Sequence, residues 1–110
     1  MKRVYVAGKL NDNAIGYINN IRNMCLWAKK VRALGFAVFV PCDDLTELLV
    51  CGEYKYDDLF NNSQPWLVVS DFVFVCPGWE TSSGTRREIA LAKEHDIPVY
   101  FKLEDLQNVR

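Results

Sequence analysis

The run Phe72-Val73-Phe74-Val75-Cys76 is apolar at every position and passes directly into Pro77-Gly78-Trp79-Glu80-Thr81-Ser82-Ser83-Gly84. A strand with one wet face alternates apolar and polar residues, whereas a strand apolar throughout has both faces covered. The run therefore reads as an inner strand of a parallel sheet with helices on both sides. The loop after this strand adds a second constraint. Ser82, Ser83, Gly84 and Thr85 stand where the loop becomes an Ala-containing helical pattern. Their amides and hydroxyls converge there, an arrangement that suits an anionic ligand. One carboxylate, Glu88, lies early in the same helix.

The rest of the chain repeats this alternation. Arg3 to Ala7 is a short β-rich run, followed by the loop Gly8 to Asn13. Ile18, Ile21, Met24, Cys25, Ala28, Val31 and Leu34 recur at helical spacing. Gly35 stands where a helix end requires positive φ. Ala37 to Val40 is a second strand, closed by Pro41. Leu45, Leu48 and Leu49 suggest a short helical turn broken by Gly52. The window Asp57 to Ser70 reads as a helix, and Pro65, suited to a first turn, places its start near Ser63. Ile97 to Phe101 forms the last strand, and Pro98 marks it as an edge. Leu103 to Val109 reads as a terminal helical turn.

Strands alternating with helices predict an α/β domain. It is a small doubly wound parallel sheet of about four strands, order 2-1-3-4, with helices on both faces. In such a sheet ligands bind beyond the carboxyl ends of the strands, where the winding reverses. Gly8 to Asn13, Pro41 to Asp44 and Pro77 to Gly84 all fall on that edge.

With 110 residues the chain suits a single domain over 1–110. Thirteen basic against 14 acidic residues leave a net charge of −1, which argues against a nucleic-acid polymer as partner. No apolar run approaches a membrane span. Met1-Lys2-Arg3 leads straight into a strand, unlike a signal peptide. Cys25, Cys42, Cys51 and Cys76 form no C-x-x-C pair, and His95 is the single histidine, so no zinc pattern arises. Reduced thiols in a cytoplasmic protein are the simplest reading, although a bridge among Cys25, Cys42 and Cys51 is compatible with the spacing.

Tyr5-Val6-Ala7-Gly8 at the first strand, Asp71 opening the third, and Pro77-Gly78-Trp79-Glu80 with Ser82-x-Gly84-x-x-x-Glu88 resemble the nucleoside 2-deoxyribosyltransferase-like superfamily. The pattern is similar to that of its small phage and bacterial branch, related to the 2′-deoxynucleoside 5′-monophosphate N-glycosidases. The resemblance implies Glu88 as nucleophile and Tyr5 as the tyrosine that hydrogen-bonds it. It implies Gly8 as the first-loop glycine, Ser82 as a phosphate ligand and Gly84 as the close-approach glycine. It also implies a nucleoside or nucleotide partner, a homodimer or larger assembly, and no metal or organic cofactor. One position departs: the family aspartate eight residues before Asp71 is Ser63 here.

Each residue has a plainer role beside the functional one. Glu88 suits the positive end of a helix dipole. Ser82, Ser83 and Thr85 are good helix caps. Tyr5 fits a strand core. Lys9 is placed in the first loop to meet a phosphate, whereas Arg86 and Arg87 read as a solvated pair. Trp79 either stacks on a base or covers the sheet edge; Trp27 and Trp66 read as core or interface residues. Asp12, Asp43 and Asp44 lie on the ligand edge but commonly serve turns. Cys42 is the cysteine placed for reactivity. Two functions are compatible with these residues. The first is an enzyme that cleaves or transfers the N-glycosidic bond of a 2′-deoxynucleoside or its 5′-monophosphate. The second is a non-catalytic nucleotide-binding module using the same pocket, which Ser63 favours.

Overall fold

The computed structural model describes residues 1–41, 50 and 56–110. Strand β1 (Arg3–Ala7) leads to helix α1 (Ala14–Ala33) and strand β2 (Ala37–Phe39). Helix α2 (Tyr56–Val68), strand β3 (Phe72–Val75), a 3-10 turn (Trp79–Thr81) and helix α3 (Ser83–Glu94) come next. Strand β4 (Val99–Tyr100) and helix α4 (Leu103–Gln107) complete the described elements. The readings on Cys42, Asp43, Asp44, Leu45, Leu48, Leu49, Cys51 and Gly52 lie outside the described residues.

The sheet is parallel, in the expected order β2-β1-β3-β4. Strand periodicity divides its core in two. Val4, Val6, Phe72, Phe74 and Cys76 face one way and pack with Met24, Ala28 and Val31 of α1 and Leu106 of α4. Tyr5, Ala7, Val73 and Val75 face the other way and pack with Leu67 of α2 and Ile89 and Ala92 of α3. This is why β1 and β3 are apolar at nearly every position. Each fully buried aliphatic side chain contributes about 1.5–3 kcal/mol, so the two inner strands anchor the domain. Asp71 ties their starts together, its carboxylate accepting the Arg3 amide at 2.7 Å.

Asn13 caps α1, its side chain accepting the Gly16 amide at 2.9 Å. Gly35, with φ +100°, lets the chain leave that helix for β2. Only part of the α1 pattern is core: Met24, Ala28 and Val31 are buried, while Ile18 and Cys25 are exposed.

Pro65 does not start α2. The helix begins at Tyr56 and carries Pro65 in its interior. An interior proline forfeits one helical hydrogen bond. Pro65 is exposed, so the freed carbonyl is open to water, while buried Phe60 and Ser63 before it and Leu67 after it hold the helix to the sheet. Strand β4 is shorter than expected and excludes Pro98, whose carbonyl nevertheless accepts the Val73 amide at 3.0 Å. It is an edge strand.

Candidate active site

The carboxyl ends of β1, β2 and β3 open on a cavity of about 130 Å³. Ligand pockets of doubly wound sheets lie at such a reversal. The loop after β1 lines it with Gly8, Lys9, Leu10 and Asn11, and α1 adds Tyr17. Pro41 comes after β2 on the wall, and α2 contributes Leu59, Phe60 and Ser63. The 3-10 turn supplies Thr81, and the start of α3 supplies Ser82 to Thr85 and, one turn on, Glu88.

Glu88 is 8% exposed, and its carboxylate accepts a hydrogen bond from the buried Tyr5 hydroxyl. The two residues meet because Tyr5 projects from β1 toward the face that α3 covers. Burial pushes the Glu88 carboxyl up from 4.5 to about 7, and the Tyr5 hydrogen bond opposes part of that rise. Near neutral pH this group is therefore balanced between acid and carboxylate. Cys76, at the end of β3, is also pushed up, to about 12, by burial and then by the Glu88 charge. Its thiol is inert packing.

Ser82 is the N-cap of α3. Its Oγ accepts the Thr85 amide at 3.2 Å and the Thr85 hydroxyl at 2.9 Å. Ser83 and Gly84 occupy the first helical turn, where amides have no acceptor within the helix. These amides sit at the positive end of the α3 dipole and on the cavity wall. The wall can thus take an anion at one point and a reacting carbon beside Glu88 at another. Lys9 is its one cation among the described lining residues.

Gly8 is required by close approach. A Cβ there would lie 3.0 Å from Met24 Cε and 3.2 Å from Cys76 Cβ. Ser63 reaches the cavity wall and is buried, its hydroxyl donating to the Phe60 carbonyl at 3.3 Å. The position where the resemblance expects an aspartate thus carries a neutral hydroxyl, and Glu88 is the single carboxylate among the described lining residues.

Of the residues singled out in the sequence, Gly8, Lys9, Ser63, Ser82, Ser83, Gly84 and Glu88 come together on this wall, with Tyr5 behind Glu88. Trp79 does not join them. Its ring packs on Phe101, with centroids 5.2 Å apart, and covers the sheet edge. Arg86 donates to the Glu80 carbonyl. Arg87 lies 3.8 Å over the Phe60 ring and 3.5 Å from Asp57. Asp57 and Asp58 are exposed and do not line the cavity. Asp12 accepts the Asn13 amide at 2.7 Å and serves the turn.

Tyr17, Leu59 and Phe60 were not anticipated. Two signals in the sequence point to them. Leu59 and Phe60 precede Ser63 by one helical turn and so share its face. Tyr17 stands in the first turn of the helix that leaves the β1 loop. Among the described residues no three His, Cys, Asp or Glu side chains gather as a metal would require. No helix among them is long and apolar enough to cross a membrane.

A family model described as "Domain of unknown function (DUF4406)" matches residues 2–101. No curated protein matches the chain. Among solved structures, it is similar to the 2-deoxyribosyltransferase of the psychrotolerant Bacillus psychrosaccharolyticus, a biocatalyst for nucleoside synthesis. That likeness has TM-score 0.67 and 18% identity, over 88% of this chain and 69% of that one. A conserved protein from Enterococcus faecalis V583 is similar with TM-score 0.65 and 20% identity, over 90% of this chain and 61% of that one. The chain thus spans about two thirds of these proteins, and the likeness is one of fold.

Proposed function

We propose, for a chain that belongs to the DUF4406 family and has the nucleoside deoxyribosyltransferase-like fold, that this cavity carries out glycosyl transfer. The substrate is a 2′-deoxynucleoside or its 5′-monophosphate. The observation that carries the reading is the burial of Glu88 against Tyr5 on the same wall as the first turn of α3.

In this reading the ionised Glu88 carboxylate attacks C1′ of the sugar. The C1′–N bond breaks, its electron pair leaves with the base, and the base takes a proton from solvent. A carboxylate suits this step because the anomeric carbon passes through an oxocarbenium-like state that a negative oxygen stabilises. Water or a second base then displaces the glycosyl ester and frees the carboxylate. Tyr5 orients Glu88 and favours its charged form. Ser82, Ser83 and Gly84 hold the 5′-phosphate with Lys9 beside them, and Gly8 lets the β1 loop pack close over Met24 and Cys76 at the cavity edge.

A second reading is a nucleotide-binding module built on the same pocket. Ser63 favours it: the wall has no second carboxylate among its described residues to handle the sugar hydroxyls or the departing base. One experiment separates the two. The protein is incubated with deoxynucleosides and their monophosphates, and free base is measured by chromatography. Release that disappears in Glu88→Gln supports the enzyme. Saturable binding without release supports the module. Neither binding nor release removes both.

A further inference from the structure

Tyr5 and Phe39 are direct partners in the β1–β2 ladder. Their rings stack with centroids 5.5 Å apart and planes 24° apart. Trp66 of α2 also stacks on Phe39, at 5.6 Å and 15°. The phenol that bonds Glu88 is therefore the inner end of a row of rings that reaches the surface, where Trp66 is 53% exposed. Trp66 also lies one helical turn beyond Ser63, which lines the cavity, without lining it itself. The glycosyl-transfer reading uses neither Phe39 nor Trp66.

We propose that Phe39 and Trp66 are positioning residues for the Tyr5–Glu88 pair, the stacked rings holding the Tyr5 hydroxyl on the carboxylate and registering α2 against it. The physical basis is that offset-stacked rings resist sliding and tilting, while a phenol hydroxyl loses its hydrogen bond with small changes of ring angle. A solvent-facing tryptophan contributes little to the core, so its stacking on Phe39 is its main contact with the site. The catalytic part of the proposal rests on the glycosyl-transfer reading; the positioning part does not.

The test is the titration of the Glu88 carboxyl, followed by 13C NMR in wild type, Trp66→Ala, Trp66→Phe and Phe39→Leu, with thermal melts to establish folding. The groups around that carboxyl are Tyr5 from β1, Cys76 from the end of β3, and Lys9 and Tyr17 on the shared wall. None of them is altered by these substitutions. A loosened Tyr5 stabilises the carboxylate less, so the midpoint is expected to rise by about half a unit or more in Trp66→Ala and Phe39→Leu. Trp66→Phe, which keeps a stacked ring, returns it to the wild-type value. With a cleaved deoxynucleoside in hand, kcat falls about tenfold in Trp66→Ala with KM nearly constant. An unchanged midpoint in folded Trp66→Ala overturns the proposal, whether or not the protein is an enzyme. A shifted midpoint in a protein that binds no nucleotide and releases no base keeps the positioning role and removes the glycosyl-transfer reading.

Discussion

The Tyr5 hydroxyl donates to the Glu88 carboxylate across 83 positions of sequence, joining the central strand to the first turns of α3. The bond is buried, and it works against the desolvation that would otherwise keep Glu88 protonated. Removing it has a definite sign. In Tyr5→Phe the Glu88 pKa rises above about 7, because the carboxylate loses its donor while its burial is unchanged. If Glu88 is the nucleophile, the acidic limb of the kcat profile moves to higher pH and the rate at pH 7 falls about tenfold or more. Steady-state base release between pH 5 and 9 measures both.

The same carboxyl makes stability depend on pH. Between about 4.5 and 7 the folded protein holds a proton on Glu88 that the unfolded chain has released. Stability therefore falls as pH rises through that window. Glu88→Gln escapes the penalty. It is expected to be more stable than wild type above about pH 7, by at most about 3 kcal/mol, and to lose this advantage toward pH 4.5. Urea unfolding of both proteins at pH 5 and pH 8 reads the difference directly.

Ser82 caps α3, and a single substitution separates that role from the phosphate contact of the proposed function. Ser82→Asp preserves the cap, since aspartate accepts an N-terminal amide as well as serine does. It also sets a negative charge on the cavity wall. The expected outcome is an unchanged melting temperature with affinity for a deoxynucleoside monophosphate reduced about tenfold or more, a loss of about 1.4 kcal/mol. Ser82→Ala, by contrast, loses about 1 kcal/mol of stability with the cap. Calorimetry against the same nucleotide, run beside thermal melts, distinguishes the roles.

Gly8 tolerates no side chain without movement of its neighbours. In Gly8→Ala the new methyl meets the end of Met24, which can bend, and Cys76 Cβ, which is fixed to the inner strand. This overpacking is expected to destabilise the fold by about 1–2 kcal/mol, read from the midpoint of urea unfolding. In a Met24→Ala background, which itself costs about 2–5 kcal/mol, Gly8→Ala costs less than in the wild type but is not neutral, because the contact with Cys76 remains.

Strand and helix identity was legible because it depends on short-range pattern. Phe72 to Val75 and Val4 to Ala7 are apolar on both faces, and only a sheet covered on both sides buries them. The convergence of Ser82, Ser83 and Gly84 with Glu88 came from a strand, a Gly/Ser loop and a helix in succession. Pairing Glu88 with Tyr5 needed more than pattern, since neither periodicity nor spacing relates positions on different elements; the family resemblance supplied it. Pro65 misled because the proline rule is local, whereas α2 is held by Phe60, Ser63 and Leu67 against the sheet.

The amino-acid order alone determined the layered α/β architecture, its strand order and the edge on which the cavity opens, because hydrophobic periodicity and crossover handedness leave little choice. Tertiary structure alone decided that Trp79 turns to Phe101, that Ser63 and Glu88 share the cavity wall, and that Tyr5 is backed by Phe39 and Trp66. The reason is one of range. A side chain's immediate neighbours along the chain set which way it points from its own element. Its eventual contacts depend on elements tens of residues away, whose position is set by packing.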